Sequence, residues 1–347
     1  MPEPLVSLCL PTLNARAFLE ERLETLRAQT LQDWELIACD SGSEDGTWET
    51  LRRYENDPRL RLFQVPRAGV YAGWNECLRR ARGRYVHIAT ADDTCRPDFL
   101  EKLVTALERH PDADLAVCQF DFIDAAGRVL SPPRRRLDAF YGAWLERPHR
   151  RPRETEILLH LFVGIPWTTA GALVFRAALL SRAGWFEPAA GADADRYWSL
   201  RASFHSDTLS LPERLATWRQ RPDQVSRRWE QGWPARNWRR LAAAVDECRA
   251  CVPAAWQRDA AWREKLLAGA RAAYRRGFCL DRGWLRRRPL EFAAGLARAA
   301  AREPAYAWRR LATGLTWQAP EYLDGEEQVR RLIDEWHIAW EPRPLEP

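Results

Sequence analysis

The chain has 347 residues, 46% hydrophobic and 29% charged, with a formal net charge of +5, a composition that suits a soluble globular protein. No run of about 18 apolar residues occurs, and MPEPLVSLCLPTLN lacks a basic leader, so we expect no transmembrane helix, no signal peptide and a cytoplasmic location. A disulfide framework is not expected in a chain this long; Cys9, Cys39 and Cys118 sit in apolar runs as small buried thiols, and Cys248-x-x-Cys251 reads as one helical turn.

Leu5–Leu10 is a strand ending at Pro11, and residues 16–29 have helical spacing, with Phe18, Leu19, Leu23 and Leu26 on one face. Trp34–Cys39 is a second strand ending at Asp40, and Ser43–Thr47 opens a second helix. Leu60–Val65 is a third strand, Asn75–Arg82 a helix, and Tyr85–Ala89 a fourth strand. Such alternation predicts an α/β fold with a mostly parallel sheet flanked by helices. Residues 114–124 and 170–176 read as further strands, 131–153 as a Pro- and Arg-rich loop, and 207–219 as a last strand region. Beyond residue 226 the texture changes to amphipathic helices rich in Ala, Arg, Leu and Trp. The division expected is 1–226 and 227–347. The second part carries 23 Lys+Arg and 16 Asp+Glu (23 − 16 = +7), leaving −2 for the first (5 − 7).

Parallel sheets bind ligands at the carboxyl ends of their strands. There this sequence places Thr12 and Asn14, then Asp40, Ser41 and Ser43, then Arg67, then Asp92 and Asp93. Adjacent carboxylates at a strand end repel, and a hard divalent cation shared with substrate phosphates relieves that repulsion. A solvated loop bearing two exposed acids is the plainer alternative.

The ordered motifs shift the balance toward the cation site. Pro11-Thr12-Leu13-Asn14, Asp40-Ser41-Gly42-Ser43-Glu44-Asp45-Gly46-Thr47, Gly69-Val70-Tyr71 with Asn75, Ala81-Arg82-Gly83-Arg84-Tyr85 and Ala91-Asp92-Asp93 follow one another within residues 5–100. In these the chain resembles the inverting family 2 glycosyltransferases of bacterial surface polysaccharides, with the GT-A, Rossmann-like fold. The resemblance continues more loosely through Gly171–Arg176, Gly184-Trp185-Phe186-Glu187, Ala192-Asp193-Ala194-Asp195, Arg219-Gln220-Arg221 and Gln224-Val225-Ser226.

The resemblance implies a nucleotide-diphosphate sugar donor, a saccharide or lipid-linked acceptor, and Mn²⁺ or Mg²⁺ as cofactor. It implies donor contacts from Pro11, Thr12, Asn14, Asp40, Ser41, Gly69, Asn75, Asp92, Arg219 and Arg221, and metal ligation by Asp93 and Asp92. Asp193 would be the general base, with Asp195 the alternative. For Asp40 the plainer reading is a turn cap, for Thr12 and Asn14 loop capping, and for Asn75 helix packing. The chain departs from the family at Thr90, where many members carry a further carboxylate, at Ala192 in place of Glu, at Arg221 in place of His, and at Arg67-Ala68 in place of an acid. The competing class is a non-catalytic member that holds a nucleotide or glycan, or scaffolds a complex.

In the tail, residues 271–310 carry 11 arginines against three acids. A helical bundle packed on the catalytic domain is the first reading. A peripheral contact at the inner membrane face and a homo-oligomer interface are the others. No nucleic-acid motif accompanies the charge, and nucleic acid is not expected as a partner.

Overall fold

In the computed structural model, β1 (Val6–Thr12), β2 (Trp34–Asp40), β3 (Leu60–Gln64) and β4 (Tyr85–Ile88) alternate with α1 (Arg16–Arg27), α2 (Thr47–Arg52) and α3 (Val70–Leu78). These four strands pair in parallel in the order β3-β2-β1-β4. The structure describes residues 3–130, 140–166, 169–221, 238–276, 278, 280, 282–315 and 325–345. α4 (Phe99–Arg109), β5 (Leu115–Ile123), β6 (His149–Arg151), α5 (Arg153–Phe162), β7 (Leu173–Arg176), α6 (Leu179–Ala183), α7 (Ala194–Ser203) and β8 (Thr208–Arg219) follow. The sheet among the described residues runs β3-β2-β1-β4-β7-β5-β8-β6-β9, with β9 at Arg343–Pro344. Parallel pairing returns at β5 with β8, but β7 lies antiparallel between β4 and β5, and β6 lies antiparallel to β8. The sheet is therefore mixed: an antiparallel neighbour needs no crossover helix and enters from either end.

The central strands are mostly apolar because both faces are covered, with Ser7, Glu35 and His87 as buried polar exceptions. Leu8, Leu10, Leu36 and Ala38 face the layer of α1 and α4, where Leu19, Leu23, Phe99 and Leu103 are buried. Cys9, Ile37 and Cys39 face the layer of α3 and α7, with Tyr71, Trp74, Cys77 and Trp198.

Two elements differ from expectation. The helix expected over 75–82 spans Val70–Leu78, because Gly69 takes φ +97° and lets the first turn start directly after it. In the segment expected as a loop over 131–153, residues 131–139 lie outside the described residues. The remainder holds a 3₁₀ turn at Gly142–Glu146, the short strand β6 and the start of α5. β6 reads as a charged loop because its pairing with Thr208–Ser210 is made by backbone groups.

The C-terminal region forms α8 (Trp238–Glu247), α9 (Trp262–Arg276), α10 (Arg282–Arg287), α11 (Pro289–Arg302), α12 (Pro304–Ala312) and α13 (Gly325–Glu335). α8, α9 and α13 share a core with α5 and α7, built from residues such as Leu241, Val245, Leu266 and Ile333 against Ile157 and Leu200. β9 pairs with β6 at the sheet edge. The expected boundary at 226/227 and the Gln224-Val225-Ser226 segment lie outside the described residues. Among the described residues no helix is long and apolar enough to cross a membrane.

Gly83 shows why a motif glycine is needed. Its N–H donates to Ser7 Oγ at 2.8 Å, and an added Cβ would lie 2.6 Å from Ser7 N and 2.7 Å from Val6 C. Both close atoms are backbone of a central strand and have no room to yield. Gly83→Ala is expected to destabilise the fold by roughly 1–3 kcal/mol, read from urea unfolding.

Candidate active site

The loops after β1 and β2 are stapled together. Thr12 pairs with Asp40 in the strand register, and its hydroxyl donates to Asp40 Oδ1 at 2.9 Å. Ser43 donates to the same carboxylate through Oγ (2.5 Å) and N (3.0 Å). Asn14, at φ +49°, donates its N–H to Ser43 Oγ at 2.8 Å and accepts from Glu44 N at 2.9 Å. Ser41 N donates to Thr12 O, Ala15 N to Thr47 Oγ1, and Arg16 N to Asp45 Oδ2. The Asp-Ser-Gly-Ser-Glu-Asp-Gly-Thr segment is thus a scaffold whose side chains satisfy a neighbouring loop. Asp40 is fully buried with both oxygens engaged, which is the geometry of a turn cap.

The Asp92–Asp93 turn follows β4 and lies against the end of β8. Thr94 N donates to Thr217 Oγ1 at 2.9 Å, and Thr217 N to Thr94 O at 3.0 Å. Arg219 N donates to Asp93 Oδ1 (2.7 Å) and Nε to the Asp92 carbonyl (2.6 Å). Its remaining guanidinium nitrogens reach the carbonyls of Asp124 and Ala125 and the Glu21 carboxylate. Arg219 is 1% exposed, so it braces the turn from beneath instead of reaching into open space. Arg221 pairs with Asp92 Oδ2 at 3.0 Å. Thr90 donates to Asp93 Oδ2. Burial, and then the charge of Asp92, push the Asp93 carboxyl up to about 7.

The third wall is the start of α7. Asp193 stands at its N-cap position, half-buried, and Asp195 lies in the first turn. Asp195 accepts from its neighbour's Arg196 N at 2.7 Å and from the Tyr71 hydroxyl of α3. Burial, with Asp193 adding to it, raises the Asp195 carboxyl to about 6. Asn75 donates to Phe186 O at 2.7 Å and is buried, so it ties α3 to the Gly184–Glu187 turn. Arg240 of α8 grips that turn further on, reaching Glu187 Oε2 (2.8 Å) and Ala189 O (2.7 Å).

Shared neighbours join the three walls. At Gly73 of α3 an added Cβ would lie 3.5 Å from both Pro11 Cβ and Ser41 Oγ. At Gly171 it would lie 3.2 Å from Asp93 Oδ2 and 3.5 Å from Thr169 Oγ1. Thr169 and Asp195 in turn line one small cavity with Trp74, Phe186 and Trp198. With about 30 Å³ it holds a water or two and no sugar.

The donor set at Asp92–Asp93 fits a hard dication: two carboxylates and a hydroxyl, with Asp93 raised by burial and by the like charge of Asp92, which a cation would relieve. Among the described residues no three His, Cys, Asp or Glu side chains gather as a ready-made cage. A dication of this kind completes its shell with water and substrate phosphates.

The model of the family described as glycosyl transferase family 2 matches residues 7–180, half of the chain, which carries the stapled loops and the Asp92–Asp93 turn. The chain belongs to that family. The chondroitin synthase of Pasteurella multocida is 32% identical over 99 residues, 28% of this chain and 10% of that protein. The aligned stretches cover 40%, 63% and 10% of three curated relatives, less than two thirds of each. In three dimensions the chain resembles S. aureus TarS 1-349 in complex with UDP-GlcNAc (TM-score 0.61, 16% identity, 96% of this chain and 91% of that one). It also resembles the mannosyltransferase PcManGT of Pyrobaculum calidifontis in complex with GDP-Man and Mn²⁺ (TM-score 0.51, 23% identity, 96% and 88%). These likenesses show the GT-A fold.

For this family 2 chain, sequence reading missed several supports of the site. Thr90, noted only as a missing carboxylate, is the hydrogen-bond donor to Asp93. Tyr71 was visible within Gly69-Val70-Tyr71, but its partner Asp195 is 124 positions away (195 − 71). Glu21 and Arg240 carry no local signal.

Asp195 gives a pH-dependent outcome. Its folded value of about 6 lies above the ordinary 3.8, so the native state binds the proton more tightly than the unfolded chain. The stability this contributes at low pH is lost as pH rises from about 4 through about 6. Asp195→Asn is therefore expected to melt near wild type at or below about pH 4 and above wild type at pH 8, by differential scanning calorimetry.

Proposed function

We propose that this chain transfers a glycosyl group from a nucleoside-diphosphate sugar to a saccharide or lipid-linked acceptor in surface polysaccharide synthesis, with inversion and with Mn²⁺ or Mg²⁺. The observation that carries the proposal is the convergence, at the carboxyl ends of β1, β2 and β4, of the stapled 12–16 and 41–47 loops with the Asp92–Asp93 turn. Family membership supports it, as do the printed names of a chondroitin synthase and of neighbours holding UDP-GlcNAc or GDP-Man with Mn²⁺.

On this reading the loop bearing Pro11, Thr12, Asn14 and Ser41 forms the nucleoside pocket, and Asp40 shapes it by fixing Thr12 and Ser43. Gly69 opens α3 beside that pocket, and the N–H groups of its first turn suit the diphosphate. Asp93, with Asp92, would hold the metal, which when bound offsets the charge growing on the departing diphosphate. Arg221 reaches the same phosphate oxygens from the Asp92 side, while Arg219 and Asn75 hold the walls in place.

Asp193 takes the proton of the acceptor hydroxyl as its oxygen bonds to the anomeric carbon. The bond to the diphosphate breaks on the opposite face, and the configuration inverts. We take Asp193, at the N-cap of α7, as the base in preference to Asp195, whose carboxylate accepts from Tyr71 and from Arg196 N.

One observation favours the non-catalytic reading: Arg221 already pairs with Asp92 where a metal would draw on that carboxylate. Turnover of UDP- and GDP-sugars with Mn²⁺ separates the two. Asp193→Asn is expected to lower kcat by roughly 10²–10⁴ with donor affinity kept. Asp93→Ala is expected to abolish both turnover and the Mn²⁺-dependent thermal shift with donor. Wild-type donor binding without turnover, unchanged in Asp193→Asn, would establish the non-catalytic reading instead.

A further inference from the structure

α11 and α12 bury their inner faces in one small core. Phe292 and Ala299 of α11 meet Tyr306 and Ala307 of α12, together with Tyr274 and Phe278. The faces turned away from that core are apolar, whereas a surface helix ordinarily turns a polar face outward. On α11 an exposed stripe at 290, 293, 294, 297 and 301 is Leu, Ala, Ala, Ala and Ala, flanked by the exposed Glu291 and Arg302, and Leu290 is 85% exposed. On α12 the exposed stripe is Ala305, Trp308, Leu311 and Ala312, with Trp308 at 72% and Leu311 at 51%. α10 adds Leu285 at 43%, and Arg282 Nε donates to Gly314 O at 3.0 Å, which sets the start of α10 against the end of α12.

Charge accompanies this face. Residues 282–311 hold eight arginines and two glutamates (8 − 2 = +6). Both acids are neutralised locally, Glu291 by Arg288 and Glu303 by Arg275. Arg282, Arg286, Arg287, Arg288 and Arg309 are exposed beside the leucines and Trp308. Leucine and tryptophan on one face, edged by arginine, is the pattern of helices that lie in the plane of a bilayer interface. The exposed arginines suit anionic headgroups, while Arg310 is buried and bonded to Leu280 O.

We propose that α10, α11 and α12 dock this protein on an anionic lipid bilayer surface, with Leu290, Trp308 and Leu311 entering the headgroup region and Arg286 and Arg287 meeting the headgroups. The occupant is the bilayer surface itself, so the proposal stands apart from the glycosyl-transfer reading, and its test uses neither donor nor acceptor.

The test is co-sedimentation of the full chain with phosphatidylcholine vesicles, with and without phosphatidylglycerol, at low and high salt. Binding is expected only to the anionic vesicles and is expected to weaken with salt. Arg286→Gln/Arg287→Gln is expected to bind roughly thirtyfold more weakly. Leu290→Ser/Trp308→Ser is expected to bind at least roughly tenfold more weakly. All four side chains are exposed, so both variants are expected to melt like wild type. Equal binding to neutral vesicles, or variants that bind as wild type, overturns the proposal. So does a dimer in sedimentation velocity that Trp308→Ser dissociates while no vesicle binding is seen, which would make the face a contact between two copies.

Discussion

Two carboxylates on consecutive residues at the end of a buried strand are an electrostatic problem that the rest of this site is arranged around. Asp92 and Asp93 repel, and Asp93 is almost fully enclosed. The protein compensates from several directions: Arg221 for Asp92, and Thr90 with the backbone N–H of Arg219 for Asp93. Arg219 is itself pinned by Glu21 and the carbonyls of Asp124 and Ala125. The end of β8, the start of the chain after β5 and helix α1 therefore all depend on the same turn. Burial, and after it the charge of Asp92, keeps the Asp93 carboxyl raised, and a cation bound beside the pair would favour its ionised form.

The second organising feature is the division of labour between the residues that touch open space and those that hold them. Asp40, Arg219 and Asn75 are buried and engaged with other parts of the fold, whereas Asn14 and Gly69 are exposed. On the proposed reading, a site that binds a flexible diphosphate gains from rigid loops, because ordering them at the moment of binding would cost affinity. The C-terminal helices take part in this bracing. Arg240 holds the turn before Asp193, Tyr197 of α7 donates to Glu247 of α8 at 2.6 Å, and the two regions share one core. The tail is a structural partner of the segment that carries Asp193, while α10–α12 at its far side leave an apolar, arginine-edged face outward.

Much of the α/β half was legible because its strands are buried on both faces and its helices are amphipathic. β1 to β5 fall within a residue or two of the apolar runs that announce them. The polar residues at strand ends also fall where the parallel topology requires. Short strands were not legible: His149–Arg151 has no apolar pattern, and it is held to Thr208–Ser210 by backbone pairing and an Arg151–Ser210 side-chain bond. The placement of β7 between β4 and β5 was equally hidden, because strand order depends on contacts far apart along the chain. Among the candidate residues, chemistry was easier to read than role. Asp40 and Arg219 carry the right groups, but only their burial and partners show that they support the site from behind.

The amino-acid sequence alone determined the strand–helix alternation, the family, and the set of carboxylates and small polar residues gathered at one sheet edge. Those follow from local periodicity and from motifs whose residues are close in the chain. Tertiary structure decided which residues face outward and which brace. It tied Tyr71 to Asp195, Arg219 to Glu21 and Arg240 to Glu187, and it turned the α11 and α12 stripes away from their core. Hydrogen bonds and burial between distant segments exist only once the chain has folded, so no local pattern announces them.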